Sequence, residues 1–152
     1  MGSLCIISCS SKKIWDKNPE LDSVKAQNAY ISPFFKKCKA YADKFYEDWI
    51  ILSAKYGFLY PNDIIPATYD VTFNSLNSEV ISISELKEQI NNKKLNQFED
   101  IVVLGGAKYR EIVKEAFEAE HNYIFSLKDC GGIGYMLQKL NYALENEKKI
   151  SN

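Results

Sequence analysis

The chain has 152 residues, 46% of them hydrophobic and 26% charged, with a formal net charge of −1, which fits one domain over residues 1–152 that buries roughly two thirds of the surface exposed by its unfolded form. So balanced a charge excludes a global positive field for nucleic acid and leaves that role to local basic clusters. Cys5, Cys9, Cys38 and Cys130 form no C-x-x-C pair and His121 is the only histidine, which argues against zinc or another metal and for a reduced, cytoplasmic protein that needs no cofactor.

The first predicted element is a strand over Leu4-Cys-Ile-Ile-Ser8, too short for a signal peptide or a membrane span, running into the loop Cys9-Ser-Ser-Lys-Lys13. Ser32-Pro33 then sets a capping hydroxyl before a proline at the first helical position, and Phe34, Cys38, Tyr41, Ala42 and Phe45 recur at helical spacing. A second strand from Trp49 to Ser53 passes into Ala54-Lys-Tyr-Gly57. From Phe58 to Ser78 no helical period is present, and a structureless loop of that length in a compact domain is usually functional. Ser82 with Glu85 is a capping pattern for a helix through Leu86 and Ile90, ending near Asn91-Asn92. A third strand, Ile101–Leu104, leads into Gly105-Gly-Ala-Lys-Tyr-Arg110 and a helix that begins at Gly106 and buries Ile112, Val113, Ala116 and Phe117. A fourth strand, Tyr123–Ser126, leads into Leu127-Lys-Asp-Cys-Gly-Gly132 and a helix from about Ile133 to Leu144.

Short β-branched runs followed by helical patterns are βα units, and right-handed crossovers build them into an α/β fold: three layers, α/β/α, around a central four-stranded parallel sheet. Ligands of such sheets bind outside the carboxyl ends of the strands, so the four loops are expected to converge on one site. The glycines Gly131, Gly132 and Gly134 lack the G-x-G-x-x-G spacing and there is no G-x-x-x-x-G-K-[ST], which disfavours a nucleoside triphosphatase or a dinucleotide oxidoreductase. Gly131 and Gly132 instead bring the fourth loop to the shared site.

Gly105 and Gly106 let a phosphate or sugar approach backbone N–H groups at a positive helix end, flanked by Lys108 and Arg110; plain strand-to-helix packing is the competing explanation. Cys9, Ser10, Ser11 and Lys12 offer hydroxyls and an ammonium for anion or sugar contacts. No histidine lies nearby in sequence to activate a serine or cysteine nucleophile, and ordinary loop capping competes with a binding role. In Lys55-Tyr56-Gly57, with Asp63 and then Tyr69-Asp70 downstream, an aromatic ring can stack on a base while a carboxylate orients water. Any one of ten tyrosines is more often a half-buried wedge.

The run Ile51-Leu-Ser-Ala-Lys-Tyr-Gly-Phe-Leu-Tyr-Pro-Asn-Asp63, with Tyr69 beyond it, resembles the Leu-Ser-x-x-Tyr-Gly-x-Leu-x-Pro-x-Asp stretch of the YaaA peroxide-stress family. Cys9-Ser-Ser-Lys12 stands where that family has Ser-Pro-Ala-Lys, and Gly105-Gly-Ala-Lys-Tyr109 where it has a small-residue turn leading to a tyrosine. A group of short bacterial and phage proteins is more similar still, sharing Cys-Ser-x-x-Lys, Leu-Ser-Ala-Lys-Tyr-Gly and Tyr-Asp, and the resemblance covers most of the chain. It implies a uracil-DNA glycosylase-like fold with strand order 2-1-3-4, and a link to DNA and the stress response.

Two functions follow as expectations. In the first, the chain is a DNA glycosylase-like hydrolase acting on the N-glycosidic bond of a nucleotide or a flipped base. Tyr56 and Tyr69 hold the base, Lys12 and Lys55 the phosphate or anionic leaving group, and Asp70 or Asp63 orients water. Asp70 is preferred because it follows Tyr69, whereas Asp63, between Pro61 and Pro66, reads as a turn former. In the second, the chain is a non-catalytic DNA- or nucleotide-binding protein of the stress response or of phage-related DNA metabolism, with Gly57, Tyr109, Arg110 and the other loop residues forming a phosphate-reading rim. A scaffold that dimerises through its Phe- and Tyr-rich early helix is the plainest alternative.

Overall fold

The computed structural model describes residues 2–75, 79–118 and 120–150. In chain order its elements are β1 (Ser3–Ser8), β2 (Val24–Lys25), the single turn α1 (Ala26–Ala29), α2 (Pro33–Phe45), β3 (Asp48–Ser53), β4 (Gly57–Leu59), β5 (Ile64–Ile65), α3 (Ile83–Asn92), β6 (Asp100–Leu104), α4 (Ala107–Phe117), β7 (Asn122–Ile124) and α5 (Ile133–Glu145). The central sheet has the order β4-β3-β1-β6-β7. β3, β1, β6 and β7 are mutually parallel, with Ile6 opposite Ile50 on one side and Val103 on the other.

Strands buried on both faces read as near-continuous apolar runs, and β1, β3 and β6 do so because helices cover both sides. Cys5, Ile7, Ile51, Val102 and Leu104 pack with Cys38, Tyr41 and Ala42 of α2 and Leu140 and Ala143 of α5. Leu4, Ile6, Ile50, Leu52 and Val103 point the other way, against Leu86 and Ile90 of α3 and Ile112, Val113 and Phe117 of α4. The period-2 alternation of the strands thus separates two cores in a three-layer arrangement.

The expected four-stranded parallel sheet is instead a five-stranded mixed one. Gly57, at φ +76°, reverses the chain after β3, and Gly57-Phe58-Leu59 returns antiparallel along it, with Ser53 opposite Gly57 and Ile51 opposite Leu59. Three residues are too few to show a period, so this edge strand reads as loop in the sequence. The stretch after Leu59 is likewise not structureless: β5 pairs antiparallel with β2, and only Leu76, Asn77 and Ser78 of it lie outside the described residues. The fourth predicted strand is shorter than expected and closes at Ile124. Among the described residues no helix is long and apolar enough to cross a membrane.

What this arrangement positions is one edge. β6 lies inside the sheet and parallel to β1, so the loops after β1, β3, β6 and β7 all leave from the same side.

Candidate functional site

A cleft of about 530 Å³ opens at that edge. Its polar side is the end of β1, Ser8 to Ser11, and its apolar side is Phe34 of α2 with Ile133, Met136 and Leu137 of α5. The first turns of three helices, α2, α4 and α5, line it. At α2 the Ser32 hydroxyl accepts from the Phe35 N–H at 3.1 Å. The N-caps of α4 and α5 are Gly106 and Gly132, and no side chain caps either helix. Helix N-termini carry unsatisfied N–H groups and the positive end of the macrodipole, so these two ends favour an anion in the cleft.

The two adjacent glycines divide the competing explanations between them. A Cβ on Gly105 would stand 3.1 Å from Cβ of Ser8 and 3.3 Å from that of Tyr109, so Gly105 is a packing residue. A Cβ on Gly106 would meet nothing within 4 Å, and its φ of −77° suits any residue. Packing therefore does not require glycine at 106, where the bare backbone borders the cleft. Arg110 turns back to donate to the Gly105 carbonyl at 3.1 Å, bracing the turn.

Of the two lysines in the first loop, the sequence pattern favoured Lys12, which is exposed, whereas Lys13 is buried at 3% exposure. Lys13 is fixed by its backbone: its N–H donates to Asp16 Oδ2 at 2.8 Å, closing the 3₁₀ turn Ile14–Asp16 over buried Trp15, and it bridges antiparallel to Tyr30. Its Nζ donates to the Ser11 carbonyl at 3.1 Å and sits 4.3 Å from the centre of the Tyr69 ring. No carboxylate among the described residues pairs with it. Burial pushes the Lys13 ammonium below its ordinary pKa, and the nearby Cys9, Asp16 and Asp70 partly restore it. An ammonium has three donors, and the Ser11 carbonyl takes one of them. The signal available in the sequence was Asp16, three residues after Lys13, just where a cap reaches back.

Beneath Lys13 lies a hydroxyl cluster. Tyr69 bonds both Tyr30 and, at 2.8 Å, Ser53, and Ser53 Oγ accepts from the N–H groups of Lys55 and Tyr56 at 3.2 and 3.1 Å. Tyr69 is buried, edge-on to Tyr56 at 5.3 Å, and one face of its ring carries Lys13, so it is packed rather than an open stacking surface. Tyr56 is half-buried, and Lys55 pairs with Glu79 at 3.7 Å. Cys9 Sγ lies 3.3 Å from the Tyr109 hydroxyl. Burial, and secondarily the nearness of Cys9, raises the pKa of both Tyr69 and Tyr109, so both phenols are protonated hydrogen-bonding groups at neutral pH.

The remaining sequence candidates separate. Asp70 is exposed and outside the cleft's lining, near enough for its charge to act on Lys13. Asp63 lies elsewhere: its carboxylate accepts from the Tyr60 N–H at 2.8 Å and stands 3.8 Å from Lys93, beyond the far end of β4, as a turn former. Gly57 is structural, since a Cβ there would fall 2.3 Å from Gln89 Oε1. Gly131 is exposed and next to Tyr135.

Residues 4–142 match a family described as a family of unknown function, DUF6884. The chain belongs to this family. It is 45% identical over 151 residues to a protein of Bacillus subtilis (strain 168), "Uncharacterized protein YfjM", a match that spans 99% of this chain and 100% of that one. The family match takes in every loop of the cleft, from Cys9 to Leu137.

Chemically, the cleft offers an anion pole made of two uncapped helix ends and the serine loop, with the buried Lys13 ammonium bonded to the Ser11 carbonyl behind that loop. An apolar wall faces that pole, and the exposed carboxylate of Asp70 lies outside the cleft's lining, near enough to act on Lys13.

Proposed function

We propose that the cleft binds a nucleotide, either free or as an unpaired residue of DNA, and that the protein hydrolyses its N-glycosidic bond. The observation that carries this reading is the meeting of the uncapped N-termini of α4 and α5 on a cleft walled by Phe34, Ile133, Met136 and Leu137. Helix ends and Ser10 and Ser11 suit a phosphate, and the apolar wall suits the flat face of a base. Lys13 supplies positive charge under the serine loop, for the phosphate or for negative charge developing on a departing base. Asp70 orients the water that attacks the sugar as the bond to the base breaks. The resemblance to the YaaA family and to the uracil-DNA glycosylase-like fold supports DNA as the source of the nucleotide and a place in the stress response.

Binding without chemistry is the second reading, favoured by one observation: Asp70 is exposed and is not among the residues lining the cleft. The two are separated by incubating the protein with defined single- and double-stranded DNA and adding alkali to break any abasic site. Wild type is expected to produce alkali-sensitive breaks, and Asp70→Asn to slow them by about two to four orders of magnitude with affinity nearly unchanged. Binding without breaks at any base leaves the binding module as the function, and absence of binding to DNA and to nucleotides alike refutes both readings.

A further inference from the structure

A second depression, also of about 530 Å³, lies against α2. Its floor is Tyr30 and Phe35, 2% and 1% exposed, and its rim carries Gln27, Asn28, Lys36 and Lys39. Successive residues of a helix point 100° apart, so Phe34 in the cleft and Phe35 and Lys36 in the groove face different ways from the same turn. Only the first turn of α2 separates the two. Lys36 and Lys39, three apart, share one face of the helix, and neither forms an ion pair among the described residues. Asp43, at the far end of the groove, is its one acidic lining residue and accepts from the Trp49 indole N–H at 2.9 Å.

We propose that this groove carries the sugar-phosphate backbone adjoining the nucleotide held in the cleft, so that the substrate is a single strand of nucleic acid rather than a free nucleotide. The proposal rests on the cleft reading above. A base lodged in the cleft is unpaired by necessity, and its neighbours follow as a single strand. The strand crosses the N-terminal turn of α2, whose Ser32 cap and Pro33 leave little free backbone there, and reaches two unpaired ammonium groups beyond it. The amides of Gln27 and Asn28 supply further polar contacts on that rim, and the apolar floor accepts sugar carbons.

The test compares a fluorescently labelled single-stranded DNA of mixed sequence, roughly ten nucleotides long, with the four deoxynucleoside monophosphates titrated separately. Wild type is expected to bind the strand at least about tenfold more tightly than any monophosphate. In the double variant Lys36→Gln/Lys39→Gln that advantage disappears, and the slope of log K against log salt falls in magnitude by about 1.4, the value for two phosphates of a single strand. Monophosphate binding is unchanged, because neither lysine lines the cleft. A strand bound no better than the best monophosphate, or a double variant with unaltered affinity and salt slope, overturns the groove while leaving the cleft reading in place. If neither probe binds wild type, the cleft reading fails and the groove with it.

Discussion

Lys13→Met is expected to remove most of the nucleotide affinity and to leave the fold at least as stable as wild type. The side chain is buried, no carboxylate among the described residues pairs with it, and desolvation is the largest influence on its pKa, which is lowered. A lysine whose folded pKa lies below its unfolded value disfavours folding while it is charged. That penalty is complete at pH below the folded pKa and fades as pH rises toward the unfolded value near 10.4. Methionine is similar in length and needs no partner, and the Ser11 carbonyl it abandons belongs to an exposed residue that water can reach. The variant therefore gains most relative to wild type at neutral pH, and the gain narrows in alkali. Against the ligand the balance reverses. Losing a hydrogen bond to a charged group costs about 1.5–3 kcal/mol, or roughly 10- to 150-fold in affinity. Thermal denaturation at pH 7 and pH 10 with calorimetric titration of a deoxynucleoside monophosphate measures both. Unchanged affinity would remove Lys13 from the site, and a lower melting temperature at pH 7 would make it a structural cation.

Gly57→Ala has the opposite signature. The residue has φ +76°, and the new Cβ would lie 2.3 Å from Gln89 Oε1 and 2.6 Å from Ile81 Cδ1. Gln89 is the clasp of the β3–β4 turn, accepting from the Phe58 N–H at 2.8 Å and donating to the Tyr56 carbonyl at 2.9 Å. Alanine strains the backbone by about 1–2 kcal/mol and displaces that carboxamide, with an overpacking cost of about 1–3 kcal/mol. The expected loss is about 2–5 kcal/mol, a fall of roughly 10 °C in melting temperature. Calorimetry on the variant checks it, and a melting temperature within a degree or two of wild type would mean that the turn rearranges freely.

The four βα units were legible because both faces of β1, β3 and β6 are buried, which forces unbroken apolar runs, and because Ser32-Pro33 and Ser82 with Glu85 cap as their spacing dictates. β4 was not, since an antiparallel return of three residues depends on a clasp from Gln89, more than thirty residues away in sequence. The choice between Lys12 and Lys13 had the same difficulty. Past the end of β1 no period says which side chain turns inward, and Lys13 is drawn in by a bridge to Tyr30 and a cap from Asp16. Tyr69 was read as a stacking ring, yet its burial follows from hydroxyl contacts to Tyr30 and Ser53 that bring together distant parts of the chain. Gly105 and Gly106 could not be separated by sequence, because only the nearness of Ser8 and Tyr109 distinguishes them.

Calorimetric titration of a deoxynucleoside monophosphate into Gly106→Val tests most directly whether ligand binds at the carboxyl edge of the sheet. A side chain at 106 meets no protein atom within 4 Å of its Cβ and projects where the first turn of α4 borders the cleft. The expected result is loss of binding by a protein that melts within a few degrees of wild type, and binding equal to wild type would contradict the cleft as the ligand site.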